Sequence, residues 1–172
     1  MGTRSLIVIR NKGVMFGQYV QFDGYPDGVG VGVLNELKRL SHDALRRGFQ
    51  RARFLTQEQA SAAWLAKTAP QLSREYGEAI LEYFAKTKAP EVYNEIKFAA
   101  ESLMCEWAWM VDFDSSLFRA FKGFNKAPLP RDAIFKSFEE GRPDEKYFPI
   151  REVTSWSLRK LPSEGSFLGR FS

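Results

Sequence analysis

The sequence predicts an α+β domain with a mainly antiparallel sheet, built from an N-terminal and a C-terminal hairpin. Two observations predict it: runs of alternating apolar and polar residues lie near both ends of the chain, and about three helical periodicities lie between them. The chain has 172 residues, a length at which one domain can bury a full core. We therefore expect a single domain over residues 1–172, with its helices on one face of the sheet.

The N-terminal hairpin is predicted from two β-rich runs, residues 5–10 and 14–22. A three-residue loop ending in Gly13 joins them, which is a common hairpin connection. Because side chains alternate along a strand, the second run places three polar groups on one face of the sheet, namely Tyr19, Gln21 and Asp23.

Three helices are predicted between the hairpins. Apolar residues recur at helical spacing over residues 31–46, and a capping box opens a second helix over residues 56–67. Ser73 is the expected cap of a third helix, which ends before Pro90. The stretch 91–100 fits a helix and a strand equally well.

The C-terminal hairpin is predicted from residues 105–113, which alternate as a half-buried strand does, and from their partner strand 117–122. Residues 123–149 contain four prolines and indicate a long connection around one helical turn. A last short strand is expected over residues 152–158.

Composition limits the chemistry of the chain. Cys105 is the only cysteine and His42 the only histidine, which excludes an internal disulfide and a Cys/His zinc cluster. We expect Cys105 to be a core residue on the face of Trp107 and Trp109, and His42 to be exposed. No cofactor or metal is predicted. We expect no membrane segment and a cytoplasmic location.

The loop after the second β-run is the most unusual local sequence and the predicted ligand site. It contains three glycines, a proline and two aspartates, but it is neither a Walker A nor a dinucleotide motif. One interpretation makes it a polar pocket; the other makes Asp23 and Asp27 turn-forming and capping residues. The candidate ligand-binding residues are Gln21, Asp23, Gly24, Tyr25, Asp27, Gly28 and Gly30.

Four segments carry a resemblance to known proteins: TRSLI at residues 3–7, QYVQFDGYPDGVG at 18–30, LSREYG at 72–77 and CEWAWMVD at 105–112. Together they are similar to a family of uncharacterised proteins of fungi, bacteria and phages. The resemblance implies one fold in which the DGYP loop and the CEW strand are defining features. It implies no activity.

If the CEW strand joins the sheet of the N-terminal hairpin, Glu106 and Asp112 are expected on the face of Gln21 and Asp23. Two carboxylates beside aromatic side chains are suited to general acid–base catalysis. The candidate catalytic residues are Asp23, Glu106 and Tyr25. The alternative is that Glu106 only pairs with Arg4 or another base.

The net charge of +4 is concentrated in one stretch. Such a stretch could bind phosphates of a nucleic acid, or it could be a solvated helix face. The basic residues between positions 38 and 53 are Lys38, Arg39, Arg46, Arg47, Arg51 and Arg53.

The sequence thus leaves three functions open. The first, which we favour, is a binding or regulatory domain without catalysis of its own, whose partner is a protein or a second copy of the chain. The second is a small enzyme that uses the carboxylates at the DGYP loop. The third is nucleic-acid binding through the basic stretch, the less favoured partner class.

Overall fold

A five-stranded sheet organises the computed structural model, which describes residues 2–172. The strands are β1 (Ser5–Asn11), β2 (Val14–Val20), β3 (Arg53–Phe54), β4 (Glu91–Val92), β5 (Trp107–Asp112), β6 (Leu117–Lys122) and β7 (Arg151–Ser157). The helices are α1 (Val31–Arg39), α2 (His42–Gln50), α3 (Gln57–Leu65), α4 (Ala79–Lys86) and α5 (Glu164–Gly169). No helix in this described part is long and apolar enough to cross a bilayer.

The order of strands in the main sheet is β2-β1-β5-β6-β7. All neighbours pair antiparallel except β1 and β5, which are parallel and join the two hairpins. The predicted α+β class and mainly antiparallel sheet are therefore confirmed. β3 and β4 form a separate parallel pair, in which Val92 of β4 is buried in the helix-side core.

Two hydrophobic cores cover the two faces of the main sheet. The helix-side core includes Ile7, Phe16 and Trp109, and the opposite core includes Val8 and Met110. Because both faces are covered, β5 is buried from Ala108 to Asp112, and the prediction of a half-buried strand was wrong. The opposite core is closed by the 3₁₀ helix Ile96–Ala100 and by the long connection before β7.

The predicted helix over residues 31–46 is two helices, α1 and α2. Leu40 has extended backbone angles (φ −90°, ψ 151°), which end α1. Ser41 then caps α2, since its side chain accepts a hydrogen bond from the Ala44 N–H at 3.1 Å. A local cap thus interrupts an apolar periodicity that continues across the break.

The third predicted helix also begins later than expected. Ser73 does not cap it; its hydroxyl accepts from the Glu75 N–H at 3.2 Å within a turn. Gly77 is left-handed (φ 60°), a conformation that no helix interior has, and α4 starts only at Ala79. The predicted capping box of α3 is confirmed: Thr56 and Gln59 bond reciprocally at 3.2 and 3.0 Å.

The ambiguous stretch 91–100 becomes β4 and a 3₁₀ helix, and the residues between them close the edge of β2. Asn94 accepts from the Gly17 N–H and donates to the Met15 carbonyl, both at 2.9 Å. Glu95 donates its N–H to the Gly17 carbonyl at 2.8 Å. These bonds satisfy the N–H and the carbonyl of Gly17 and the carbonyl of Met15 on the outer side of β2.

Candidate functional site

The DGYP loop forms a tight structure at the end of β2. Asp23 is left-handed (φ 58°), and its carbonyl accepts from the Val29 N–H at 2.8 Å. Gly24 donates its N–H to the Thr3 carbonyl at 2.9 Å. Residues Pro26–Gly30 form a turn that leads into α1, and Gly28 within it has non-helical backbone angles (φ −105°, ψ −106°). Backbone hydrogen bonds thus hold the loop, both within it and to Thr3 before β1.

Trp109 anchors this loop to the sheet. Its indole N–H donates to the Gly24 carbonyl at 3.1 Å, and the indole is fully buried. A side chain at Gly30 would meet the Trp109 ring, because a Cβ there would lie 2.8 Å from it. The DGYP loop and the CEW strand therefore contact each other, and the glycine at position 30 serves packing rather than ligand contact.

The structure brings only some of the predicted ligand-binding residues into one cavity. Asp23 and Gly28 line a cavity of about 460 Å³ below the loop. Tyr25 is half exposed, Asp27 is exposed, and Gln21 instead accepts a hydrogen bond from the Tyr19 hydroxyl at 2.7 Å. Within residues 2–172 neither aspartate of the loop caps a helix through its side chain.

Asp112 shares a face of the sheet with Tyr19, but it does not come together with Asp23 to form a two-carboxylate site. Asp112 pairs with Arg10 on β1, whereas Asp23 follows the end of β2 that pairs with Ser5. Ser5 and Arg10 are five residue steps apart along β1, a distance of roughly 17 Å. Asp112 is fully buried between the guanidinium groups of Arg10 (3.2 Å) and Arg119 (2.9 Å), so its role is structural.

Glu106 lies at the correct end of the sheet but not in the cavity of Asp23. Its backbone N–H donates to the Arg4 carbonyl at 3.1 Å, which extends the pairing of β1 with β5. In the described part of the chain, no ion pair within 4.0 Å joins the Arg4 and Glu106 side chains. Neither the catalytic arrangement nor the predicted pair is therefore formed.

Cys105 is buried, as expected of a core residue, but in the core opposite to Trp109. The prediction that it shares the face of Trp107 and Trp109 was wrong, because β5 starts only at Trp107 and the alternation does not extend back to position 105. Burial raises the pKa of its thiol far above the ordinary value. His42 is half-buried rather than exposed, with Nε2 2.6 Å from the Leu37 carbonyl.

The basic stretch is largely neutralised by nearby carboxylates. Arg39 pairs with Glu36 at 2.6 Å and with Glu82 at 3.2 Å. Asp43 binds the next two arginines of α2, at 2.6 and 2.7 Å. The remaining contacts are an ion pair of Arg53 with Glu91 and a hydrogen bond from Arg51 to the Lys88 carbonyl.

Arg74, which the sequence analysis did not single out as a site residue, lies where two cavities meet. Its carbonyl accepts from the Gln21 N–H at 3.0 Å, beside the DGYP loop. Its guanidinium stacks over the Tyr19 ring, 4.9 Å from the centroid. It lines the cavity of Asp23 and also a larger cleft of about 610 Å³. We call this larger space the Arg74 cleft.

The Arg74 cleft combines aromatic, polar and charged groups. Its lining includes the aromatic rings of Trp64 and Tyr93, the hydroxyl of Ser61 and the carboxylate of Glu95. Burial raises the pKa of Glu95, although its bond to the Tyr19 N–H and the Arg74 guanidinium oppose that rise. A cleft with convergent polar groups and a perturbed carboxyl group is a typical binding site.

One wall of the Arg74 cleft is α3, which packs weakly on the rest of the molecule. No side chain of α3 is buried, and Trp64 and Leu65 are 53% and 81% exposed. Next to them lies a mostly apolar depression of about 430 Å³, which continues to Ala69 and Pro70. We call Trp64, Leu65, Ala69 and Pro70 the α3 face.

Fold and site together define an α+β domain with a cleft of about 610 Å³ between a sheet edge and a surface helix. No protein-family model, curated protein or solved structure matches the chain. The resemblance carried by the DGYP and CEW segments stays a prediction. Its segments 18–30 and 72–77 lie side by side around Arg74, and this is the sequence signal that could have identified the cleft.

Proposed function

We propose that the protein is a binding domain without catalysis of its own, and that it takes a protein partner on the α3 face. The observation that carries this proposal is that α3 buries none of its side chains and exposes Trp64 and Leu65. Apolar side chains exposed together on one element are typical of interaction sites.

The way in which α3 is stabilised supports this proposal. A helix of nine residues is marginal by itself, so packing normally stabilises it. Here the capping box supplies local hydrogen bonds, while the apolar side chains face solvent. A partner that covers Trp64 and Leu65 would supply the missing packing. Tryptophan is also enriched among the residues that dominate interface affinity.

The Arg74 cleft adds polar selectivity to this surface. Trp64 lines both the cleft and the apolar depression, so one partner segment can reach both. An apolar side chain of that segment would pack on Trp64 and Leu65. Its polar groups would then meet the Arg74 guanidinium and the hydroxyl groups of the cleft.

Selection from a displayed peptide library tests the proposal directly. Peptides selected on the wild-type domain should carry an apolar residue, and Trp64→Ala should weaken their binding at least about 10-fold. Phe124→Ala is the matched control, because Phe124 is a similarly exposed aromatic residue (50%) outside the α3 face. Selected peptides that bind Trp64→Ala as tightly as wild type would contradict the proposal.

The two other functions have weaker support. For the enzyme, Asp23 shares its cavity with Glu75 and Glu78, but Glu106 and Tyr25 do not line it. For nucleic-acid binding, the basic stretch offers few free charges. Among residues 2–172, Lys38 is its one residue whose side chain makes no hydrogen bond or ion pair. Retention on heparin with a steep salt dependence, lost in Arg46→Ala/Arg47→Ala, would favour the latter.

A further inference from the structure

The two edges of the main sheet differ in how their backbone groups are satisfied. Asn94 and Glu95 cover the edge of β2, as described above. At the edge of β7 the Ser157 carbonyl accepts from the Lys160 N–H at 3.1 Å, but over residues 2–172 no hydrogen bond from another segment reaches the backbone of Ser155 on its outer side. An open edge is a template for one more strand.

The register of β7 shows which groups point outward. Leu158 donates its N–H to the Ser116 carbonyl at 3.0 Å, which marks one bonded pair of the β6–β7 ladder. Because bonded and non-bonded pairs alternate in an antiparallel ladder, Trp156 and Thr154 bond toward β6. The N–H and carbonyl of Ser155 therefore point away from β6, toward solvent.

The open part of β7 has the composition of a paired strand. Residues 153–157 carry no charge and include valine, threonine and tryptophan, which favour strands. Charged residues stand on both sides of them, Arg151 and Glu152 before and Arg159 and Lys160 after. The bulge that leaves Val153 without a partner on β6 twists the start of the strand. Pairing is thus confined to residues 153–157.

We propose that β7 pairs antiparallel with β7 of a second copy of the chain, about a two-fold axis at Ser155. In this register Ser155 faces its own equivalent, Thr154 faces Trp156, and Val153 faces Ser157. These pairs are self-complementary: none places like charges opposite each other, and an aromatic residue meets a β-branched one. The two sheets then form one continuous ten-stranded sheet with an isologous interface. This surface is separate from the α3 face and does not depend on the proposed function.

The substitution Ser155→Pro tests whether this dimer forms, because it should prevent the pairing of the two β7 strands. Ser155→Pro removes the outward N–H, and edge strands tolerate proline where the N–H faces solvent. Ser155→Ala, the matched control, keeps the N–H. In sedimentation equilibrium, wild type and Ser155→Ala should rise from 19.7 kDa toward twice that mass with concentration. Ser155→Pro should remain a monomer with an unchanged far-UV circular dichroism spectrum.

Amide hydrogen exchange of the wild-type chain gives a readout that needs no variant. The Ser155 amide should exchange more slowly as the protein concentration rises, because pairing removes it from solvent. Two results would overturn the proposal. One is a wild-type mass that stays at 19.7 kDa up to about 1 mM. The other is a folded Ser155→Pro variant that associates as wild type does.

Discussion

Glu95 shows how a single residue can link the closed sheet edge to the Arg74 cleft. Its backbone completes the edge of β2, and its carboxylate accepts from the Tyr19 N–H at 3.3 Å. The side chain also lines the cleft, where burial disfavours the charged form. Position 95 therefore serves the fold through its backbone, while its side chain gives the cleft a carboxyl group whose pKa is raised by burial.

Replacement of this carboxyl group by an amide should stabilise the protein at neutral pH. Burial raises the pKa of Glu95 in the folded state, so the folded chain binds a proton more readily than the unfolded chain. The stability that protonation of Glu95 contributes is then present at low pH and is lost as pH rises through the pKa of the folded state. Glu95→Gln keeps an oxygen for the Tyr19 N–H and removes the charge. We expect a gain of about 1 kcal/mol at pH 7 that vanishes in acid.

Urea titrations between pH 3 and pH 8 measure this gain. Glu75→Gln is the control, because Glu75 lines the same cleft and is exposed. Glu75→Gln removes one negative charge that is exposed, so the free energy of unfolding of this variant should match that of wild type at each pH. If Glu95→Gln is less stable than wild type at pH 7, the attraction between Glu95 and Arg74 outweighs the cost of burial, and our interpretation of the cleft is wrong.

The elements of the fold depend on close backbone contacts as much as on periodicity, and the contact of α2 with α4 is the clearest case. A Cβ at Gly48 would lie 1.8 Å from the Phe84 carbonyl oxygen and 2.6 Å from its carbon. Both atoms belong to the backbone of α4, so no side-chain rotation can relieve the clash. Gly48 is therefore required for the two helices to approach.

Gly48→Ala should destabilise the protein by at least about 2 kcal/mol, even though alanine is the better helix former. Gly165→Ala is the matched control: Gly165 lies in α5, and a Cβ there meets nothing within 4 Å. That substitution should be neutral or stabilising by up to about 1 kcal/mol. Urea denaturation of both variants measures the difference, and equal midpoints would refute the role of Gly48.

The helices and strands that could be predicted from the sequence are those that depend on local contacts. Both hairpins and the capping box of α3 depend on neighbouring residues, and local pattern identified them. The break at Ser41 and the late start of α4 after Gly77 depend on backbone angles that apolar spacing does not encode. The parallel pairing of β1 with β5 needs contacts about 100 residues apart, which no local pattern contains.

The candidate site was predicted less well for a related reason. The DGYP loop stood out by composition, yet its glycines and backbone bonds serve mainly its own fold. Arg74 gave no signal of its own, since an isolated arginine in a polar segment is usually a solvated surface residue. Its position between two cavities results from the packing of residues 72–77 beside β2, which is a tertiary property.

At the scale of the whole molecule, one sheet separates two cores, and this raises the question of whether they unfold together. The helix-side core contains a cluster of stacked and tilted aromatic rings, in which Phe167 of α5 contacts Trp109, Phe118 and Trp156. The opposite core contains Cys105. The central strands β1 and β5 supply side chains to both cores, so loss of one core should expose the other.

Phe167→Ala tests this coupling, because Phe167 is fully buried and its removal should cost about 3–5 kcal/mol. Tryptophan fluorescence reports the helix-side core, and alkylation of Cys105 reports the opposite core, since its buried thiol with a raised pKa reacts only after unfolding. Trp64→Phe as background removes the fluorescence of the exposed tryptophan. We expect both probes to move to lower urea together and by the same amount. If Cys105 stays protected beyond the fluorescence transition, the opposite core folds without the helices, and the chain has two cooperative units.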